Sequence, residues 1–389
     1  MKILVVTHDA NFSGGANRSL FANIKYLKDT YNIEFTVLLP SKRGELNKKL
    51  DEISVPWIYA KYFGVISGLR HDGKDWIRRC KVYFGYYIEK IQGKRIARII
   101  KDQNFDIIYT NTRLPMIGAN IARLLHIPHV IHVRELGTVQ PLWGKWDFKQ
   151  IYKNSNKIIL ISEALRTQFV ENVPDDKLFV TYNGIQYDSV EYRDNLLNRE
   201  DVHIIITGRL VPDKAQKEAI RAVAKINKEK LTQYNIKLHI VGSSPKRTHI
   251  SWYSDELHKL VTELKIEDQV IFEGEVKNMP AMRSKMDMEL MCSVAETFGR
   301  VTIEAMRAGL FVVGGNTGAT VELINDYETG IIYKQGDYID LADKICDALS
   351  DVERFNKIRR NALRFASNNF NVKNNCEDIY TVFRSVIGK

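Results

Sequence analysis

The run Ala295-Glu-Thr-Phe-Gly-Arg-Val-Thr-Ile-Glu-Ala-Met306 joins a predicted strand to a predicted helix, and its two carboxylates, Glu296 and Glu304, are eight residues apart. Gly299 marks the expected helix start, so Glu296 would lie in the loop and Glu304 about one turn into the helix. The helix start would offer unpaired N–H groups and the positive end of the helix dipole, which suit a phosphate. The two carboxylates can bind hydroxyls. The run therefore predicts a ligand such as a sugar joined to a nucleotide by a diphosphate. The alternative is a capping box of Ser293 and Glu296, with Glu304 an ordinary solvated helix residue.

The composition is that of a soluble globular protein. With 389 residues, 44% hydrophobic and 27% charged, the chain predicts two domains of ordinary size. No apolar run approaches the ~20 residues that span a bilayer. Met1–Asp9 is typical of a buried strand, because His and Asp follow too soon for a signal peptide. The four cysteines have no paired spacing, so we expect reduced thiols in a cytoplasmic protein and neither disulfides nor a zinc site.

Apolar strand-like runs alternate with longer amphipathic stretches, which is typical of parallel sheets covered by helices on both faces. The pattern pauses in a polar stretch at 188–201 and then restarts. The predicted strands are 3–7, 35–39, 107–110, 130–133, 158–161 and 179–182 before the pause, and 203–207, 237–241, 270–272, 288–291, 311–313 and 331–333 after it.

This pattern predicts an α/β fold of two doubly wound, Rossmann-like domains facing across a cleft. Residues 1–190 would form the N-terminal domain and 200–368 the C-terminal domain. Residues 369–389 would form a last helix that packs back on the N-terminal domain. Ligands bind such sheets at the carboxyl ends of the strands, so the cleft is the expected site.

Glycine-rich loops follow two of the predicted strands. Gly14 and Gly15, in Ser13-Gly-Gly-Ala-Asn17, precede a helix, where close backbone approach and a helix end favour an anion. The loop lacks the G-x-G-x-x-G pattern, so a dinucleotide is not predicted. The loop 314–320 could bring further backbone amides to the same cleft. A plain structural turn is the alternative for both loops.

Two cations follow the first strand of the second half, in Gly208-Arg-Leu-Val-Pro-Asp-Lys214. Arg209 offers a planar fork and Lys214 a mobile point charge, and together they could neutralise a diphosphate without a metal. The alternative is a pair of surface cations. Cations near a helix amino terminus are unfavourable unless an anion is present, which favours a binding role.

His132 closes a predicted strand, with Arg134 and Glu135 just beyond it. A histidine there could hydrogen-bond a sugar hydroxyl or stabilise a leaving phosphate, and a satisfied structural histidine is the alternative. Asp287 and Glu289 superficially resemble an acidic metal-binding pair. Asp287 begins a strand, at the wrong end of the sheet for this cleft, so no metal site is predicted.

Together these motifs resemble the retaining GT-B glycosyltransferases known as family 4, or glycosyl transferase group 1. The resemblance covers most of the chain and is strongest over 203–334. The E-x7-E motif is specific because Ala305-Met-x-Ala-Gly309 follows it. The chain departs from the family pattern at Phe311, at Ala215 and at Arg300, where proline, glycine and an apolar residue are usual.

The resemblance implies a role for each motif residue. Glu304 would bind ribose hydroxyls, and His132 would lie near the transferred sugar. The donor sugar and phosphate would contact Glu296, Thr297, Phe298 and Gly299, the diphosphate would contact Arg209 and Lys214 beside Gly208, and the glycine loop would be Gly14 and Gly15.

The resemblance also implies a hexosyltransferase that moves a sugar from a nucleotide-diphosphate sugar to a saccharide or lipid-linked saccharide, with retention of anomeric configuration, as in cell-surface polysaccharide synthesis. UDP is the expected nucleotide by family frequency. No metal is implied, and no cofactor besides the nucleotide sugar as co-substrate. Residues 1–190 would be the acceptor side and 200–368 the nucleotide-sugar side. Two alternatives stay open: a sugar-nucleotide epimerase of the same fold, and a non-catalytic nucleotide-sugar-binding subunit.

The segment 61–104 is strongly basic, with eleven Lys/Arg against four Asp/Glu, and aromatic residues such as Trp76 and Tyr83 interleave with the cations. This mixture suits an anionic membrane, so we expect peripheral contact at the inner face of the cell membrane, close to a lipid-linked acceptor. The alternative is a helix packed on the first sheet with a solvated basic edge. No binding motif accompanies the charge, so a nucleic-acid partner is not expected.

Overall fold

The computed structural model describes residues 1–12, 15–62, 75–113, 116–135, 153–187, 192–193, 197, 200–244 and 252–388, without the side chains of 75–83 and Tyr86. The chain divides into two compact units. The first unit is Met1–Gln186 together with Asn371–Lys389, and the second is Tyr187–Phe370.

The first unit is built on a seven-stranded sheet in the order β3-β2-β1-β4-β5-β6-β7, and all of its pairings are parallel. The strands are β1 (Lys2–Val6), β2 (Glu34–Leu39), β3 (Trp57–Tyr59), β4 (Ile107–Asn111), β5 (His129–Val133), β6 (Lys157–Leu160) and β7 (Leu178–Val180). The helices are α1 (Gly15–Tyr31), α2 (Glu45–Glu52), α3 (Asp75–Ile100), α4 (Ile117–Leu125) and α5 (Glu163–Thr167). The central strands are buried along their length, as expected for a sheet with helices on both faces.

The second unit is built on a six-stranded parallel sheet in the order β10-β9-β8-β11-β12-β13. The strands are β8 (Asp201–Thr207), β9 (Asn235–Val241), β10 (Val270–Gly274), β11 (Met288–Met291), β12 (Phe311–Gly315) and β13 (Ile331–Tyr333). The helices are α6 (Gln216–Glu229), α7 (Trp252–Leu264), α8 (Met279–Arg283), α9 (Arg300–Arg307), α10 (Thr320–Leu323), α11 (Tyr338–Leu349) and α12 (Val352–Asn369).

The last helix, α13 (Val372–Ile387), belongs to the first unit and packs against α1. The Tyr380 ring stacks on the Tyr31 ring, with centroids 4.0 Å apart. The Asp378 carboxylate accepts a hydrogen bond from the Thr181 hydroxyl at 2.8 Å. Aromatic stacking and a polar contact therefore attach the end of the chain to the first unit.

The predicted α/β fold with two Rossmann-like domains is confirmed, and a strand lies at every position where the sequence predicted one. The short strand β3 was not predicted, because three residues are too few to give a periodic signal. In each sheet the strand order reverses beside the first strand, and such reversal points are where doubly wound sheets bind ligands. The cleft expected between the domains stays a prediction.

Among the described helices, none combines the length and the hydropathy that a membrane span requires.

Candidate functional site

The loop of Glu296 leads from β11 into α9, whose N-cap residue is Gly299 with φ of 86°. Positive φ is easy for glycine and strained for other residues. No side chain in the described part of the chain caps this helix, and the positive end of its dipole favours an anion there. The capping-box alternative is wrong, because the helix starts at Arg300 and the Ser293 hydroxyl instead accepts a hydrogen bond from Lys214.

Lys214 and Glu296 form an ion pair that joins two loops of the second unit. The Lys214 ammonium lies 2.9 Å from a carboxylate oxygen of Glu296 and 3.1 Å from the Ser293 hydroxyl. The Lys214 and Glu296 side chains are 28% and 24% exposed, so water and a ligand can still reach the pair. A backbone bond of 2.9 Å from Val294 N–H to Asp213 C=O holds the same two loops together.

The loop after β8 passes close to Lys214. A Cβ at Gly208 would lie 3.5 Å from the Lys214 aliphatic chain. Ala215, where the family usually has glycine, keeps a left-handed conformation with φ of 50°, so the turn survives at a cost of about 1–2 kcal/mol. The Arg209 side chain is exposed, and no hydrogen bond or ion pair of its guanidinium occurs within the described residues.

Glu304 lies inside a cluster of charges and is not the solvated helix residue of the alternative interpretation. One of its carboxylate oxygens is 2.8 Å from Arg300 Nε, and the other is 3.0 Å from an Arg283 nitrogen. Arg283 is 1% exposed and also pairs with Glu289, which is 0% exposed, at 2.7 Å.

Burial alone would lower the pKa of the Arg283 guanidinium, but the carboxylates of Glu289 and Glu304 outweigh burial and raise that pKa above the usual arginine value. The guanidinium is therefore a permanent cation that fixes the Glu304 carboxylate. Arg300, where the family usually has an apolar residue, holds the other oxygen of the same carboxylate.

Sequence reasoning missed Arg283, because a lone arginine in the short helix α8 has the pattern of a solvated cation. Its partner Glu289 has, with Asp287, only the sequence spacing of an acidic metal-binding pair. In the structure Glu289 pairs with Arg283, and the Asp287 carboxylate accepts the His203 N–H at 2.7 Å. Within the described part of the chain, no group of three metal-ligating side chains occurs.

The glycine-rich loop after β12 supports the backbone of Glu296. The Ala319 N–H donates to the Glu296 C=O at 2.8 Å. This amide therefore binds the main chain of the protein and is not one of the amides expected to reach the cleft. Gly318 has φ of 53°, and a Cβ there would lie 2.3 Å from the same oxygen. The Thr317 hydroxyl donates to the Val294 C=O at 2.7 Å. These contacts position the loop that carries Glu296.

Thr297 and Phe298 lie between Glu296 and the helix start and differ in exposure. Thr297 is half-buried, whereas the Phe298 side chain is 4% exposed and packs edge-on against Phe370. A ligand contact at Phe298 would therefore come from its main chain.

His132 lies in the first unit at the carboxyl end of β5 and is fully buried. Its Nδ1 is 2.5 Å from the Tyr109 hydroxyl and 3.2 Å from Arg134. The Arg134 guanidinium is also bound to the amide oxygens of Asn111, at 2.7 Å, and of Asn183. Burial and the positive charge of Arg134 lower the pKa of His132 well below its ordinary value, so the ring is neutral near pH 7.

Glu135, just beyond His132, accepts hydrogen bonds from the backbone N–H groups of Arg113 and Arg134. Burial raises the pKa of its carboxyl, although these two bonds oppose the shift. In the glycine loop of the first unit, Gly15 is exposed and begins α1, whereas Gly14 lies outside the described residues.

The structure therefore brings together Gly208, Lys214, Glu296 and Gly299 within the second unit, next to Glu304 and its arginines. Arg209 reaches none of them in the described structure. His132 has its own polar cluster within the first unit.

Two family models match consecutive parts of the chain. Glycosyltransferase Family 4 matches residues 13–189, and Glycosyl transferases group 1 matches residues 189–365. The uncharacterized glycosyltransferase MJ1607 of Methanocaldococcus jannaschii is 30% identical over 258 residues, which are 60% of this chain and 63% of that protein. The N-acetyl-alpha-D-glucosaminyl L-malate synthase of Bacillus anthracis is 26% identical over 277 residues, 67% of this chain and 69% of that protein. The match to MJ1607 thus spans just under two thirds of that relative.

Among solved structures, Anabaena Alr3699/HepE in complex with UDP superimposes with a TM-score of 0.79 at 22% identity, over 99% of this chain and 100% of that one. The same protein is also known in complex with UDP-glucose. At this identity the likeness shows a common fold, which is GT-B. With the two family models, the E-x7-E motif and this fold, the chain belongs to the glycosyl transferases group 1.

Proposed function

We propose that this chain transfers a hexosyl group from a nucleotide-diphosphate sugar to an acceptor hydroxyl, with retention of anomeric configuration and without a metal. The observation that carries the proposal is the Lys214–Glu296 pair beside the uncapped start of α9. A lysine that is both paired and partly exposed can bind a diphosphate while Glu296 turns to sugar hydroxyls.

The charge that the site must stabilise develops on the leaving diphosphate as the bond from the sugar C1 to the phosphate oxygen breaks. Lys214, Arg209 and the positive dipole end of α9 supply positive charge for it. Arg209, exposed and without a partner among the described residues, can turn toward the same anion.

Glu304 is the proposed ligand of the ribose hydroxyls. Arg283 and Arg300 hold its two oxygens, so the carboxylate keeps one orientation and its remaining lone pairs can accept from hydroxyls. UDP is the proposed nucleotide, in agreement with the complexes of the Anabaena neighbour. The name of the Bacillus anthracis relative describes an L-malate product, so the proposed saccharide or lipid-linked saccharide acceptor needs a direct test.

The test is release of free nucleotide from a panel of nucleotide sugars in the presence of a membrane lipid extract. A transferase releases the nucleotide only with an acceptor. An epimerase changes the sugar and needs no acceptor, and a non-catalytic subunit binds without releasing nucleotide. Turnover that persists in EDTA supports metal-free catalysis, and loss of turnover in EDTA contradicts it.

Replacing Lys214 by alanine should slow transfer by about 10²–10³-fold, roughly 3–4 kcal/mol, as loss of one donor to a developing oxyanion does. Folding stability should change by less than about 1 kcal/mol, because the ion pair is a quarter exposed. Lys217→Ala is the matched control: this lysine lies three residues on and pairs with Glu256. If Lys214→Ala turns over within a few-fold of the control, the role of Lys214 is wrong.

We also propose peripheral contact with an anionic membrane, supported by α3. Phe84, Tyr87 and Ile91 are 67%, 63% and 58% exposed, which is unusual for large apolar side chains. Their spacing puts them on one face of the helix with the exposed cations Lys94, Arg95 and Arg98. The residues 63–74 and the side chains of 75–83 lie outside the described structure, so the proposal rests on 84–98.

Liposome flotation tests this face. Reversing the charge at Lys94, Arg95 and Arg98 to glutamate should abolish binding to vesicles with anionic lipid, because each cation contributes about 1 kcal/mol. The matched control is the same reversal at Lys357, Arg360 and Arg364, three exposed cations of α12. If both triple variants lose vesicle binding equally, the binding depends only on net charge and not on this face of α3. If the α3 variant still binds the vesicles, the proposed membrane contact is wrong.

A further inference from the structure

Strand β5 carries two buried histidines with different hydrogen-bond partners. His129 is 2% exposed and His132 is 0% exposed. Because the two residues are three positions apart in a strand, their side chains point to opposite faces of the sheet. Each ring nitrogen has a partner except the Nε2 of His132, which is buried without a hydrogen bond from the described residues. The partners of the other nitrogens determine which of them carries the proton.

The Nδ1 of His132 must accept hydrogen bonds. Arg134 lies 3.2 Å from it, and a guanidinium has N–H donors and no acceptor. The bonds of Arg134 to Asn111 and Asn183 prevent the guanidinium from turning away. Burial raises the pKa of Tyr109 to about 12, so its hydroxyl, 2.5 Å from the same nitrogen, stays protonated and can donate to the Nδ1 that Arg134 keeps unprotonated.

A neutral imidazole has one protonated and one unprotonated nitrogen. With Nδ1 accepting, the proton of His132 is on Nε2, the nitrogen without a partner in the described part of the chain. An unmade hydrogen bond of a buried donor is unfavourable, and buried polar groups are nearly always paired in native proteins. The arrangement therefore leaves the His132 Nε2–H free to donate to an oxygen atom that the described residues do not supply.

We propose that Arg134 and Tyr109 are positioning residues that hold His132 in the Nε2–H tautomer, so that His132 meets the nucleotide sugar as a fixed hydrogen-bond donor and not as a base. This inference rests on the proposed function and on the family resemblance, which implies that His132 lies near the transferred sugar. The acceptor is an oxygen of the nucleotide sugar, from either a sugar hydroxyl or the diphosphate.

His129 supplies an internal control, because its partners dictate the opposite tautomer. Its Nδ1 is 3.0 Å from the Asn154 C=O, which can only accept, so Nδ1 carries the proton. Its Nε2 is 2.8 Å from the Thr110 hydroxyl, which donates. Burial lowers the pKa of His129 to about 4, so this ring is neutral near pH 7 as well.

Nitrogen NMR of the protein labelled with 15N in the histidine rings reads both tautomers in one spectrum. The variants His129→Gln and His132→Gln assign the signals. At pH 7 the Nε2 of His132 should have the shift of a protonated nitrogen and its Nδ1 that of an unprotonated one, and His129 should show the reverse. A protonated Nδ1 in His132 overturns the inference.

Substitution of Arg134 tests the positioning role. In Arg134→Met the Tyr109 hydroxyl can either donate or accept, so a population with protonated Nδ1 should appear. Turnover should fall about 10- to 100-fold, with a smaller change in KM, by analogy with residues that orient metal-bound histidines. Arg134→Lys keeps a donor-only cation and should restore the Nε2–H tautomer. If Arg134→Met lowers stability without changing the tautomer, the role of Arg134 is structural and the inference is wrong.

Ligand titration identifies the oxygen that His132 meets. The probes are UDP and UDP-glucose, or the nucleotide sugar that the release assay identifies, with binding verified by calorimetry. A shift of the His132 Nε2–H signal with the sugar nucleotide alone indicates a sugar hydroxyl, and a shift with both indicates the diphosphate. No shift with bound ligand refutes the donor role. Absence of nucleotide release would defeat the proposed function but leave the tautomer intact, whereas transfer with a protonated Nδ1 would defeat only this inference.

Discussion

Replacing Arg283 by methionine removes the only buried cation between Glu289 and Glu304 in the described cluster. Glu289 is 0% exposed and would lose the guanidinium that pairs with it. Breaking a buried ion pair from one side costs about 3–5 kcal/mol, a large part of the 5–15 kcal/mol that holds a typical domain together. We therefore expect Arg283→Met to destabilise the protein by about 3–5 kcal/mol.

A second substitution separates stability from function. In Arg283→Met/Glu289→Leu both fully buried charges are gone, and apolar replacement of a buried ion pair is often neutral or stabilising. Most of the lost stability should therefore return. Glu304 still lacks the guanidinium that held one of its oxygens at 3.0 Å. Its carboxylate should be less well oriented, and UDP should bind about 3- to 10-fold more weakly, as for one lost hydrogen bond.

Urea unfolding measures the stability of the wild type and both variants, and calorimetry with UDP measures the affinity. Arg354→Met is the control: this arginine pairs with Asp347 in the same unit but is 36% exposed, so its loss should cost less than about 1 kcal/mol. The reasoning is refuted if Arg283→Met is as stable as this control. It is also refuted if the double variant binds UDP as tightly as the wild type.

Two further substitutions have outcomes that follow directly from the structure. Burial raises the pKa of Glu89 from 4.5 to about 9. Between these two pH values the unfolded chain binds fewer protons than the folded one. The free energy of unfolding therefore falls as pH rises, by up to about 1.4 kcal/mol per pH unit. Glu89→Gln should remove this slope and be more stable than the wild type at pH 8 in urea unfolding; an unchanged slope contradicts the assignment. Gly318→Ala adds a Cβ 2.3 Å from the Glu296 C=O and should lower both stability and nucleotide release, whereas Gly336→Ala, at φ of 88° with nothing within 4 Å, should cost only the backbone strain of about 1–2 kcal/mol. Equal activity in the two alanine variants would show that the Gly318 contact does not position Glu296.

The sequence predicted the fold well because a doubly wound sheet repeats one simple signal. Two examples are residues 3–6 of β1 and residues 311–313 of β12. Both segments are continuously apolar, because helices cover both faces of each sheet. The pause near residue 200 indicated two domains. Local residue types also indicated the helix start at Gly299, where only glycine adopts the left-handed conformation without strain.

The candidate site could be predicted only as a set of separate motifs. Lys214 and Glu296 are 82 residues apart, and their ion pair depends on the pairing of β8 with β11. Spacing along the chain does not report such a distance. The sequence likewise indicated His132 as a site residue but not its tautomer, because Tyr109, Arg134 and Asn183 come from different strands and loops.

The amino-acid sequence alone determined the alternation of strands and helices and the residues able to bind an anion, because both depend on local residue types. Only the tertiary structure decided which charges are buried and with which partners. Arg283 and Glu89 have the sequence pattern of ordinary surface charges, yet packing excludes water from both. The carboxylates of Glu289 and Glu304 keep Arg283 a cation despite its burial, whereas burial makes Glu89 a neutral acid. Electrostatic energies in a protein depend on solvent exclusion and on distances through space, and the linear chain specifies these only after it has folded.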